Sequence, residues 1–183
     1  MRKAFVATVI VLAAAIHLLG ATLAGVTLPD TTQVGGKNLV LNGIGLRSKM
    51  MFKVYVAGLY LEAKSTDGSA ILKADAPKRV VMQFMRDLDK EQMVEAFTEA
   101  FNANSPSAAS LKGDFDKLLA GFEPIKTGDQ WMFTYAPGKG TTLTVKGADK
   151  VTVPGPALAQ AMFGCWLGPK PPTSDLQKGM LGK

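Results

Sequence analysis

From Phe52 to Leu61 the chain reads FKVYVAGLYL, a run of β-branched, aromatic and small residues with apolar side chains at both parities. Phe52, Val54, Val56, Gly58 and Tyr60 alternate with Ala57, Leu59 and Leu61, and neither set suits a wet surface. A strand apolar on both faces belongs in the middle of a sheet, with a second layer over each face or with one face lining an enclosed cleft. Lys53 and Tyr55 interrupt the run at one parity, and Arg47 precedes them by a few residues. A cation and a phenol in such surroundings need partners, because an unpaired buried charge is expensive. The protein supplies those partners, or a ligand does.

What surrounds this strand decides the fold class. With 47% hydrophobic and 20% charged residues in 183, the chain suits one globular domain with a real core. Turn chemistry at Pro29-Asp30 and Gly35-Gly36 leads into a short strand over 37–41, and Gly43 and Gly45 read as a turn before the long strand. A short helix over 67–74 stops before Pro77, and a strand follows over 79–85. Asp89 with Gln92 is a helix-start pair, and Met93, Ala96, Phe97 and Ala100 then share one helical face. A second amphipathic helix aligns Leu111, Phe115, Leu118, Leu119 and Phe122. Strands over 130–135 and 141–146 flank a Pro-Gly-Lys-Gly turn, and a short one over 151–153 follows. Pro156 opens a helix running to Phe163, and Ser174 to Leu181 forms the last. The order predicts an α+β fold: an antiparallel β-sheet covered on one side by a layer of α-helices.

The N-terminus reads differently. Arg2 and Lys3, an apolar stretch from Ala4 to Leu19, and the small-residue site Thr22-Leu23-Ala24 have the layout of a secretory signal. Residues 1–24 are therefore expected to be a signal peptide and 25–183 a single domain in the periplasm or otherwise exported. An uncleaved N-terminal anchor is the alternative, since about twenty apolar residues span a bilayer; after removal no stable membrane span is expected. His17, the only histidine, would leave with the signal, and Cys165 would be the one thiol remaining. That inventory excludes histidine triads, histidine metal sites and intramolecular disulfides, and no metal or cofactor is expected. Nineteen basic against fifteen acidic residues would remain, a net charge of +4 spread along the chain, with no basic run that suggests nucleic acid.

The residues Gly43, Gly45, Arg47, Lys53, Gly58, Tyr60, Leu61 and Glu62, the segment SAILKADAPKRVVMQFMRDLDKEQMVEAFTEAF and the closing GCWLGPKPPTSDLQKGMLG together resemble the chalcone isomerase-like family. The resemblance implies the same α+β open sandwich. It places Arg47 on the family's binding arginine and Tyr55 where fatty-acid-binding members use a tyrosine to hold a carboxylate. Lys53, Met93 and Phe97 become candidate pocket wall, and Met50, Met51, Met82 and Met85 could add an adaptable surface for an acyl chain. Where the plant isomerases carry a tyrosine and an asparagine that orient the enone, this chain has Lys90, at or near the first position, and Phe97. Thr173 falls near another substrate-contacting threonine. The resemblance is therefore closer to the non-catalytic fatty-acid-binding branch. The expectation is an exported binder of a lipophilic carboxylate, in a cavity between sheet and helices, with Arg47 and Tyr55 as ligand-binding residues. The alternatives are an isomerase of the intramolecular-lyase type using Arg47 and Tyr55 as catalytic groups, and a cell-envelope interaction module with a vestigial pocket.

Overall fold

The computed structural model describes residues 20–183, so the basic start and the apolar stretch to Leu19 lie outside the described residues. Seven strands form one sheet: β3 (Thr31–Val34), β4 (Lys37–Lys49), β5 (Phe52–Leu61), β6 (Lys78–Phe84), β7 (Gln130–Ala136), β8 (Gly140–Val145) and β9 (Ala148–Val153). They lie side by side in chain order and every pair is antiparallel. Ahead of them β1 (Gly20–Leu23) and β2 (Val26–Pro29) pair only with each other. The helices are α1 (Gly68–Lys73), α2 (Lys90–Asn104), α3 (Lys112–Ala120), α4 (Pro156–Leu167) and α5 (Ser174–Met180). This is the α+β architecture expected, with the helices on one face of the sheet.

The apolar parities of β5 explain the layers. Ala57, Leu59 and Leu61 face the helices, in one core with Val80, Met82, Trp131, Phe133 and the inward faces of α2, α3 and α4. Val56 and Tyr60 face the other way, onto Leu39, Leu41, Val81, Val26 and Leu28. The β1–β2 hairpin supplies this outer layer. Gly58 makes room for it, since a Cβ there would come within 2.6 Å of Leu28 Cδ1. The Tyr60 hydroxyl donates to Pro29 O at 2.8 Å and ties the hairpin to the sheet.

Gly43 and Gly45, read from the sequence as a turn, form none. Strand β4 runs without a break through Gly43 and Gly45, with a register shift at Asn42, and they face α5. A Cβ on Gly43 would lie 2.2 Å from Gly179 O, and one on Gly45 2.2 Å from Leu176 O. The strand has glycine there because a helix backbone lies directly on it. Asn42 locks the contact: its Nδ2 donates to Met180 O (2.8 Å) and Ser65 O (3.0 Å), and its Oδ1 accepts from Ser65 N (2.7 Å).

Local signals place the helices. Asp89 and Gln92 form the reciprocal cap at the start of α2, and Pro156 occupies the first turn of α4. Helix α4 continues past Phe163 to Leu167, and from Ala161 onward every residue is buried. An apolar periodicity that covers the whole circumference marks a central helix and carries no amphipathic end signal. At the N-terminus, Ala24 (φ 53°) and Gly25 (φ 88°) form the turn between β1 and β2. Cleavage after Ala24 would remove β1.

Candidate functional site

Arg47 on β4 and Tyr55 on β5 are directly paired across the two strands, so their side chains share a face. The Arg47 guanidinium carbon lies 5.7 Å from the centre of the Tyr55 ring. Tyr55 is buried and Arg47 half-buried. Burial pushes the Tyr55 phenol above its ordinary pKa, an effect that the Arg47 charge and the polar groups of Trp166 and Arg47 only partly offset. The phenol is therefore protonated at any physiological pH and keeps a proton to donate. Phe84 packs edge-on against the ring at 5.7 Å.

No carboxylate among the described residues pairs with Arg47. Glu62 pairs instead with Lys37 at 2.8 Å, and Asp87 with Lys126 at 2.9 Å.

The other candidates are placed differently. Lys53 is exposed, because the register shifts by one residue between Arg47 and Ser48. Val54 and Tyr55 consequently both join the helix-side core, and the alternation that would put Lys53 beside Tyr55 is broken. Met93 and Phe97 are buried under α2 and belong to the packing itself. The Phe97 ring lies 5.2 Å from Phe122, 5.3 Å from Phe133 and 5.6 Å from Trp166. The space between sheet and helices at this point is filled by rings. The methionines do not gather: Met82 and Met93 are buried in the helix-side core, Met85 packs on the opposite face, and Met50 and Met51 project into solvent. Lys90 is half-buried at the start of α2. Thr173 caps α5, its hydroxyl accepting from Leu176 N at 3.3 Å.

Concave surface lies elsewhere. A groove of about 460 Å³ runs between β4 and α5, with Leu23, Ile44, Leu46, Asp175 and Lys178 among its walls. A hollow of about 160 Å³ on the outer face is lined by Arg79, Thr134, Thr142 and Asp149.

Two features were not read from the sequence. Trp166, inside GCWLG, acts on Tyr55 from α4. Lys78 is almost fully buried; its Nζ donates to Ile71 O (2.8 Å) and Ala74 O (2.7 Å), capping α1, and lies over the Tyr135 and Phe163 rings. Tyr135 in turn donates to Asp75. The signal was present: Lys78 has the same parity as Val80, Met82 and Phe84, the inward side of β6. Cys165 is buried, which raises its thiol pKa, so it behaves as a small hydrophobe.

The sequence model described as chalcone isomerase-like matches residues 20–182. The chain belongs to the chalcone isomerase-like family. Among solved structures, it is similar to the crystal structure of a fatty-acid-binding protein of Arabidopsis thaliana, with a TM-score of 0.68 over 89% of this chain and 96% of that one. At 16% identity the likeness is one of fold. Among curated protein sequences, none matches this chain. Within the chalcone isomerase-like fold, the β4–β5 pair presents Arg47 and Tyr55, and Trp166 of α4 acts on the Tyr55 phenol. No helix among the described residues is long and apolar enough to cross a membrane.

Proposed function

We propose that this chalcone isomerase-like protein is an exported, non-catalytic binder of a lipophilic carboxylate whose head group sits between Arg47 and Tyr55. The observation that carries the reading is the half-buried Arg47, with no acidic partner among the described residues, facing a buried phenol that keeps its proton. A carboxylate accepts two hydrogen bonds from a guanidinium and one from a phenol, and it supplies the missing counterion. The fatty-acid-binding name of the similar Arabidopsis protein supports this choice. The tail lies beneath α2, where Met93 and Phe97 must swing aside to admit it. Binding therefore includes a repacking cost, and ring contacts around Trp166 change with it.

Titration with free acids of increasing length, read by tryptophan fluorescence and calorimetry, tests the proposal. Affinity rises by about 0.8 kcal/mol per buried methylene until the space is full. Arg47→Ala loses most binding of the acid and little binding of the methyl ester, whereas Tyr55→Phe loses about 1 kcal/mol. Equal affinity of wild type and Arg47→Ala for a long-chain acid would make the arginine structural. Export is tested by fractionation and by sequencing the N-terminus of the protein from the envelope; an intact Met1 there establishes an anchor.

A further inference from the structure

We propose that the tip of the β4–β5 hairpin is a docking element for an anionic lipid surface. Its three apolar residues are the exposed large hydrophobics of the described chain: Met50 is 88% exposed, Met51 96% and Phe52 60%. Met50 and Met51 are almost fully exposed among the described residues, and Phe52 is more than half exposed. They stand at a two-residue loop between Lys49 and Phe52, which pair with each other. Met50 holds φ at 56°, a conformation that glycine or asparagine adopts more readily than a long side chain. A turn built only to reverse the chain would use one of those residues, and the β3–β4 turn does, with Gly35 and Gly36.

The charges around the tip choose the surface. Lys49 and Lys53 flank the apolar residues on the two strands, and Arg86 lies over the Phe52 ring at 5.0 Å. Between Leu41 and Leu61 there is no acidic residue at all. The nearest acid in the chain to Arg86 is Asp87, held by Lys126 and by the Thr127 backbone. Apolar side chains in front with lysine and arginine a residue or two behind match a bilayer in depth. The apolar groups enter the headgroup and upper acyl region, and the cations stay among anionic headgroups. A protein partner would demand a shaped, fixed surface, whereas two methionines on a projecting loop offer a flexible one.

Docking is independent of what Arg47 binds, but the geometry is suggestive for both. Tyr55 lies four residues from Met51, about 13 Å along an extended strand. A docked tip holds the Arg47–Tyr55 pair at the level of the headgroups.

Flotation with phosphatidylcholine vesicles, alone or mixed with phosphatidylglycerol, tests the docking. The protein is purified from the envelope, and N-terminal sequencing selects the form that has lost the apolar stretch to Leu19. The mixed vesicles carry the protein, the neutral ones much less, and salt weakens the binding. Lys49→Gln combined with Lys53→Gln lowers affinity about 25-fold. Met50→Asn combined with Met51→Ser, in which asparagine suits the backbone at position 50, lowers it roughly tenfold or more while the melting temperature holds. The proposal is overturned if wild type fails to float with the mixed vesicles, or if either double variant floats as well as wild type. It is also overturned if the tip drives concentration-dependent dimers in light scattering that Met50→Asn, Met51→Ser abolishes while vesicle binding stays absent, for then its occupant is a second copy.

Discussion

Gly45 shows how much one missing Cβ can carry. Its α-carbon faces the backbone of α5 so closely that a methyl group would sit 2.2 Å from Leu176 O. That neighbour is main chain and cannot rotate away, so Gly45→Ala should force α5 off the strand at a cost of about 3 kcal/mol. Gly113, in the first turn of α3, meets nothing within 4 Å. Gly113→Ala should instead raise stability by about 0.5 kcal/mol through helix propensity. Urea melts of the two variants beside wild type read both signs. Composition alone cannot separate these glycines, because closeness of a distant helix is invisible in the local sequence. The same limit explains why Gly43 and Gly45 read as a turn. Arg47, Lys53 and Tyr55 stood out in the sequence as polar groups among apolar neighbours; the pairing of Arg47 with Tyr55 came from the family resemblance, and the strand register sets those two side by side. The single-residue shift that carries Lys53 away from them was not legible, for nothing in MFKVY marks a bulge.

The elements with local punctuation were the readable ones. The Asp89–Gln92 cap, Pro156 and the Pro-Gly-Lys-Gly turn each satisfy or remove a particular backbone donor, and each stands where the chain indicates. Elements defined by distant packing were harder: α4 runs four residues beyond its apparent end, and the hairpin of β1 and β2 lies across the boundary expected between a signal segment and the domain. That hairpin yields a prediction. Ala21 and Leu23 are partly buried on the outer core, and Thr22 and Thr27 share a hydroxyl hydrogen bond of 2.8 Å. A chain beginning at Gly25 should be less stable than one beginning at Gly20, by about 1–2 kcal/mol from the lost apolar burial. Chemical denaturation of the two measures it, and equal midpoints would show β1 to be dispensable.

At the level of the whole molecule, all three tyrosines of the chain are buried. Burial pushes Tyr60 up to about 12, and burial with the Asp75 hydrogen bond pushes Tyr135 to about 12. Tyr55 is raised by burial as well. In the unfolded chain each ionises near 10, so above that pH the unfolded state releases protons that the native state retains. Stability should fall as pH rises from about 10 towards 12. Lys78, whose pKa burial lowers, acts in a different window: it raises stability with pH only below its ordinary value of 10.5, where the unfolded chain still holds the proton, and does not offset the tyrosines above it. Absorbance of phenolate followed against pH should therefore show no tyrosine titrating normally in the native protein, and a steep step where it unfolds.

Strand order repeats chain order throughout the sheet, so most pairings join segments that are close along the chain. The contact of α5 with β4 spans far more of the chain: the Asn42 side chain meets the Met180 carbonyl across 138 positions. Loop closure over that span is slow compared with hairpin formation, because the ends must meet before any contact rewards them. During synthesis the meander can assemble as it emerges, while the glycine face of β4 waits uncovered until α5 emerges. A nascent chain halted a few residues short of Met180 would hold its sheet and still expose that strip, which makes the final helix the step that commits the protein to its finished state.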